Sequence, residues 1–312
     1  MEWVVSLPDR LDSFLAREGR MLSRAKAQSA IEEGHVSVNE EVIERPAHRL
    51  QEGDRVEVAD EAFSAKASTM EPIDLHLEVL YEDKSCFVIN KPAGLAVHPG
   101  AGMGEGEQTI LHGIAYLFTK ERLAFSSESV LVHRLDKETT GCLLIAKDPA
   151  AHAALQKQFE ARTVKKTYLA LVAGIPEHTS ATIDSPIGRS GTNRTKMAIT
   201  GASALREAQT AYRRIGAADH VALLECDLHT GRTHQIRVHL SSIGHPVLGD
   251  GSYSNALSER LTDDLAIRTL CLHAWRLTFE SPADRKNHTV TAPLPLSFSA
   301  ILKKLSIPPV DA

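Results

Sequence analysis

The sequence predicts an α+β chain: a small helix–helix–strand unit over residues 1–60, a linker over 61–72, and a larger domain over 73–312 built on a mixed, mainly antiparallel β-sheet with flanking helices. Three observations carry this. Helix patterns open the chain; residues 61–72 (EAFSAKASTMEP) are small and polar and end in Pro72; and beyond them strand-type runs outnumber helix patterns without alternating with them.

Taken in order, Leu11, Phe14 and Leu15 fall at i, i+3, i+4, one buried helical stripe. Ser23 offers an N-cap for a second helix, SRAKAQSAIEEG, closed by Gly34. Val36 and Val38 then alternate with polar residues, Asn39-Glu40-Glu41 turns the chain, and Gly53-Asp54 makes a second turn before Val56 and Val58. In the larger domain the β-type runs are LHLEVLYED, SCFVINKP, SVLVHRLD, GCLLIAKD, KTYLALVAG, QTAYRRI and VALLECDLH. Two long helix patterns interrupt them. One has Asp148 as N-cap, Pro149 at its first position and Leu155 and Phe159 at i, i+4; the other begins at Thr233 and faces the core with Ile236, Leu240 and Ile243.

Composition sets the limits. The 312 residues are 43% hydrophobic and 24% charged, as in an ordinary globular protein rather than a disordered or fibrous one. The longest apolar stretch, Tyr168–Ile175, is far short of a membrane span, and the N-terminus lacks the basic region of a signal peptide, so a cytoplasmic protein is expected. Cys86, Cys142, Cys226 and Cys271 lie apart among apolar neighbours and read as reduced core residues. The fifteen histidines, His133, His234 and His239 among them, show no metal-ligand spacing. Net charge is −5; residues 1–60, with 8 basic and 13 acidic groups, carry all of it, whereas the rest of the chain is balanced. By itself that argues mildly against a nucleic-acid partner, so local clustering must decide.

The densest signal is SVLVHRLDKETTGCLLIAKD, Ser129–Asp148, in which two strand-like runs flank a polar turn. Alone, an aspartate such as Asp136 in that turn is a turn-former. Its company changes the reading. HRLDKETTGCLLIAK is followed and preceded, in order, by INKPAGLAVHPG (89–100), KKTYLALV (165–172), GRSGTNRTKMA (188–198) and LHTGRTHQIRVHLSSIGHPVLGD (228–250). This set, spanning about residues 73 to 300, resembles the RluA/RluD-type pseudouridine synthases. The N-terminal RLDxFL, SRAxAQxxIExGxVxVN and LxxGDxVEV resemble the S4-like RNA-binding domain of a small-subunit ribosomal protein, with Arg10, Arg17, Arg20, Arg24 and Lys26 as its candidate basic face.

The resemblance implies isomerisation of uridine to pseudouridine in structured RNA, most often large-subunit ribosomal RNA, by a monomer with no metal or nucleotide cofactor. It implies Asp136 as the catalytic aspartate, nucleophile or base; Arg237 as the arginine paired with it; Tyr168 as the residue stacking on the target base; and Arg134 as the side chain filling the space that base vacates. Such a carboxylate must stay charged in a pocket dry enough to retain the freed base, and a nearby cation favours that. Arg162, Lys165, Lys166, Arg189, Arg194 and Lys196 form a basic cluster suited to an RNA backbone, and Arg232 is a further cation. Two rivals are weighed against this. A non-catalytic RNA-binding protein would not need Asp136, Tyr168 and Arg237 together, and a hydrolase would need a second acid/base carboxylate, for which Glu138 is the motif's candidate.

Overall fold

Apolar spacing decides the first unit. The computed structural model describes residues 1–17, 20–21, 24–59, 70–99, 106–193, 195–308 and 310, and the chain divides into units Met1–Thr69 and Met70–Ala312. Ser23, residues 61–69, Gly100, Arg194 and the Lys26 side chain lie outside the described residues.

The first unit runs β1 (Glu2–Val4), β2 (Asp9–Arg10), α1 (Leu11–Leu15), α2 (Arg24–Glu32), β3 (Val36–Val38), β4 (Glu41–Val42), β5 (Arg49–Leu50) and β6 (Arg55–Val58). Leu11, Leu15 and Ile31 of the helices bury against Val36 and Val56 of an antiparallel sheet ordered β1-β6-β3-β4. Gly34, at φ +76°, ends α2, and the His35 amide reaches back to the Ala30 carbonyl at 2.9 Å. Asn39 and Glu40, both left-handed, form the two-residue β3–β4 hairpin loop.

Charge, as well as core, ties the helices together. Buried Asp12 accepts from Arg10 Nε and Nη2 at 3.0 Å each, Arg24 Nη2 at 2.8 Å and Gln28 Nε2 at 3.0 Å. The Arg10 hydrogen bond, with help from Gln28 and Arg24, holds the Asp12 carboxyl well below the usual range despite its burial. Arg17 pairs with Asp9 at 3.1 Å. Three of the cations expected to form a free basic face are therefore already paired within the unit.

The second unit begins with β7 (Glu78–Glu82), β8 (Cys86–Lys91), α3 (Ile110–Lys120), β9 (Thr140–Ala146), α4 (Pro149–Glu160) and β10 (Lys165–Ala173). It continues through β11 (Ser180–Asp184), β12 (Ile187–Ser190), β13 (Met197–Ala198), β14 (Ala202–Arg206), β15 (Gln209–Ala218) and β16 (Val221–Leu228). It closes with α5 (Gln235–Ser242), α6 (Ala256–Asp264), β17 (Leu272–Glu280), β18 (Asn287–Thr291) and α7 (Leu296–Lys304). The main sheet is ordered β11-β15-β16-β10-β17-β9-β8-β7, with β18 also on β17; β12, β13 and β14 form a small separate sheet. Pairing is antiparallel except between β9 and β17. Helices α3, α5, α6 and α7 bury Ile114, Ile236, Leu261 and Phe298 in one core cluster, and α4 buries Leu155 in another with Phe279 and Leu144. Apolar packing on both faces explains why β9 reads as a continuous apolar run and is buried throughout.

Several elements differ from the sequence expectation. SVLVHRLD is not a strand: only Leu131 bridges to Ile145, and the next amide of β9 in need of a partner, that of Leu144, donates at 2.8 Å to His133 Nε2. A side chain thus takes the place of a strand carbonyl. His133 is stacked on Phe159 at 4.8 Å, and burial pushes it down to about 3, which keeps the ring neutral and able to accept. The helix expected from Thr233 starts at Gln235, and Ile243 beyond its end is exposed rather than core-facing. Helices α3, α6 and α7 were not expected at all; α3 (ILHGIAYLFTK) carries the aromatic and branched residues of a buried strand and is recognisable by its Thr109/His112 capping box. All four cysteines are free and buried, and among the described residues no helix is long and apolar enough to cross a membrane.

Two outcomes follow from these contacts. Asp12→Ala should cost the first unit about 1–2 kcal/mol at neutral pH, because it removes a buried carboxylate that joins Arg10, Arg24 and Gln28. The folded Asp12 pKa is depressed, so its stabilisation is complete above the unfolded value of 3.8 and lost as pH falls; in urea titrations at several pH values, the gap between wild type and variant should close below about pH 4. Gly141 has φ +105° where β9 meets β17, and a Cβ there would lie 2.2 Å from the Ala274 carbonyl oxygen. Gly141→Ala should destabilise the second unit by more than about 2 kcal/mol, read from its denaturation midpoint.

Candidate active site

Asp136 sits in the irregular segment between the Leu131 bridge and β9, and the segment is fixed from behind. Lys91, fully buried at the end of β8, donates from Nζ to the carbonyls of Pro92 (2.9 Å), Lys137 (2.8 Å) and Thr139 (2.9 Å). Burial pushes its ammonium down to about 8, while three carbonyl acceptors match its three donors. The Lys137 carbonyl also accepts the Gly94 amide, and the Thr139 amide turns back onto the Asp136 carbonyl. The INKPAG and HRLDKETTG segments are thereby locked together, leaving the Asp136 side chain 22% exposed.

Across from it, α5 presents Arg237, whose guanidinium serves two carboxylates. Nη1 donates to Asp136 Oδ2 at 3.0 Å; Nε and Nη2 grip Asp250 Oδ2 and Oδ1 at 2.7 and 2.9 Å. Burial opposes the charge on Arg237, but the Asp250 hydrogen bond and the two negative charges outweigh it, and its pKa stands above the ordinary value. Asp250 is itself buried, which alone would raise its carboxyl; Arg237, then the amides of Ser252 and Tyr253, bring it below the usual range. The Tyr253 ring flanks the guanidinium at 5.2 Å.

Tyr168 stands on β10 where pairing with β17 slips by one residue, leaving Trp275 as the extra residue and re-aiming the chain at the ring. The ring is buried, and its hydroxyl is raised by burial and then by the Asp136 charge. Arg134 is exposed and donates from Nη2 to Thr233 Oγ1, just before α5. Asp136, Tyr168, Arg237 and Arg134 thus line a single cleft of about 470 Å³.

Cations dominate its mouth. Arg162, Lys166 and Arg232 line it; Arg162 is paired with Glu207 at 3.0 Å, and Arg232 Nε donates to the Glu207 carbonyl at 2.9 Å. Lys165, Arg189 and Lys196 of the expected cluster do not line the cleft, and Lys196 is bound to the Ser252 carbonyl. Glu138 does not line it either; Glu160 is the other carboxylate that does. Among the described residues no three His, Cys, Asp or Glu side chains are arranged to hold a metal ion. Chemically, the site offers a partly exposed carboxylate held by a buried cation beside an aromatic wall, an arrangement able to attack or deprotonate a planar, neutral ligand. Sequence reasoning assigned no role to Asp250 or Lys91, although both lie inside quoted motifs; their ionisable heads in otherwise apolar runs were the available signal.

Comparison with known proteins agrees with this arrangement. The family described as RNA pseudouridylate synthase matches residues 85–242, and the S4 domain matches residues 9–56. The chain belongs to the RNA pseudouridine synthase family and is an isomerase of that family, carrying an N-terminal S4 domain. Among its relatives is the ribosomal large subunit pseudouridine synthase D of Zymomonas mobilis, 37% identical over 96% of this chain and 94% of the relative. The protein of the same name from Nitrosomonas europaea is 38% identical over 95% and 84%. The solved structure of human RNA pseudouridylate synthase domain containing 4 has a TM-score of 0.58 and 29% identity, covering 73% of this chain and 93% of that one.

Removing Asp250 should be costlier than its distance from solvent chemistry suggests. Asp250→Ala leaves two donors of a buried guanidinium unpaired and should cost roughly 3 kcal/mol, whereas Asp250→Asn, which keeps one acceptor, should cost less; urea denaturation orders the two.

Proposed function

We propose that this protein isomerises uridines of ribosomal RNA, in the large subunit, using Asp136 as nucleophile or base at the sugar. The observation that carries the reading is the 3.0 Å contact between Arg237 and Asp136 inside a cleft walled by Tyr168, a place for a charged carboxylate beside a planar base. The ribosomal target is supported by the names of the Zymomonas and Nitrosomonas relatives.

In the nucleophilic route the Asp136 carboxylate attacks the anomeric carbon. The bond from that carbon to nitrogen 1 breaks, and its electron pair leaves with the uracil. The uracil turns within the cleft, carbon 5 attacks the anomeric carbon, and the aspartate departs. Carbon 5 then gives up its proton, and nitrogen 1 gains one. No atom is added overall. Arg237 offsets the anionic charge of Asp136, and of the uracil when the charge passes to it. Tyr168 supplies the stacking surface, and Arg134, released from Thr233, takes the place of the extruded nucleotide, which costs a few kcal/mol to unstack.

Asp136→Asn preserves shape but cannot attack or deprotonate, so conversion should fall by more than about 1,000-fold while RNA affinity stays within about twofold. Release of tritium from RNA labelled at uracil carbon 5 measures the conversion, and pseudouridine mapping of total RNA from cells with and without the protein identifies the target. Persistence of every ribosomal pseudouridine in its absence would overturn the ribosomal assignment. Arg237→Met should also abolish turnover, and Arg237→Lys should retain a small fraction of it, since an ammonium keeps the charge but cannot grip Asp250 side-on while reaching Asp136.

A further inference from the structure

His234 occupies the residue before α5 in a left-handed conformation, φ 57° and ψ 18°. Helix starts favour an extended residue whose side chain accepts an amide of the first turn; His234 does neither, although its carbonyl accepts the Val238 amide at 2.9 Å. Helix capping therefore does not account for a histidine here. Left-handed backbone at a non-glycine residue costs free energy and concentrates at functional sites.

The ring is held from one side. Tyr253 Oη accepts the Met197 amide at 2.8 Å and lies 2.8 Å from His234 Nδ1. Burial raises the Tyr253 hydroxyl above its ordinary value, so it keeps its proton, and among the described residues His234 Nδ1 is the one acceptor in its reach, which assigns the proton to that bond. A neutral imidazole accepting at Nδ1 carries its hydrogen on Nε2. Burial first, and then the charges of Arg237 and Arg134, lower the ring's affinity for a second proton against the opposing charges of Asp136 and Asp250. Among the described residues Nε2 has no hydrogen-bond partner, it is not sealed from solvent, and His234 lines the cleft with Asp136 and Tyr168.

We propose that His234 is a base-recognition residue: its Nε2–H donates a hydrogen bond to a carbonyl oxygen of the uracil held in the cleft. This rests on the reading of the cleft as a uridine site. When the acceptor is the carbonyl at carbon 4, a donor fixed in this way distinguishes uracil from a base presenting an amino group there; when it is the carbonyl at carbon 2, the bond orients the base without that distinction.

The test is a substitution cycle in single-turnover conversion, pairing His234 variants with RNAs carrying uridine, 2-thiouridine or 4-thiouridine at the modified position, sulfur being a weak acceptor. His234→Asn suits the left-handed backbone and can still meet Tyr253, but its short amide does not reach the Nε2 position; His234→Gln does reach it. His234→Asn should lose about 10- to 100-fold on uridine RNA, and His234→Gln should recover most of it. For one of the two thio-RNAs the loss seen with wild type should nearly vanish in His234→Asn, because the bond is already gone. Losses that multiply for both thio-RNAs, or full activity of His234→Asn on uridine RNA, would overturn the role of His234 while leaving the function intact. Failure of the wild type to convert any uridine RNA would overturn both.

Discussion

A buried guanidinium shared between two carboxylates organises the second unit. Arg237 could not stand at that depth with Asp136 alone, because a single partly exposed carboxylate does not offset the loss of hydration. Asp250 supplies the fixed partner, gripping Nε and Nη2 side-on, and that grip aims the remaining Nη1 at Asp136. The cation that faces the Asp136 carboxylate is therefore aimed by a residue that does not line the cleft. Asp250 in turn is oriented by the amides of Ser252 and Tyr253, so the chain between α5 and α6 belongs to the site as much as α5 does.

Opposite this rigid side, the Asp136 segment is irregular backbone anchored at discrete points rather than along a ladder. His133 accepts a strand amide, Lys91 gathers three carbonyls, and Gly141 lets β9 approach β17 closely. Each anchor is a side chain or a missing side chain, which leaves residues 134–136 free of sheet pairing and able to face the cleft. Strands and helices hold the cation and the aromatic ring; the carboxylate is held by point contacts between loops.

What the sequence made legible followed from what is local. The α1 stripe, the Gly34 stop, the Asp148–Pro149 start of α4 and the strands β8, β9, β10 and β16 all show their periodicity within one segment. Asp136, Arg134, Tyr168 and Arg237 could be named because each lies in a contiguous motif. The partnership of Arg237 with Asp250 could not, since neither the spacing of 13 residues nor the helix period brings them together; the turn of the chain after α5 does. SVLVHRLD misled because only its start, at Val130 and Leu131, pairs with β9 through the backbone, and the His133 ring takes over where a strand would continue. Helix α3 was missed because its core-facing Ile110, Ile114 and Phe118 are residue types that also favour buried strands, although His112, Tyr116 and Lys120 mark its outer face at four-residue spacing.

The arginines of the S4 domain have a consequence for how it meets a polyanion. Arg10 and Arg24 share the single charge of Asp12, and Arg17 rests on Asp9, so two carboxylates offset all but one of these three positive charges within the protein. Binding by neutralised cations releases few condensed ions from RNA, and the entropy of that release is what makes most such associations salt-sensitive. Contacts made through these three arginines should thus change less with ionic strength than their number suggests. The steeper salt dependence belongs to the cleft, which Arg134, Lys166 and Arg232 line.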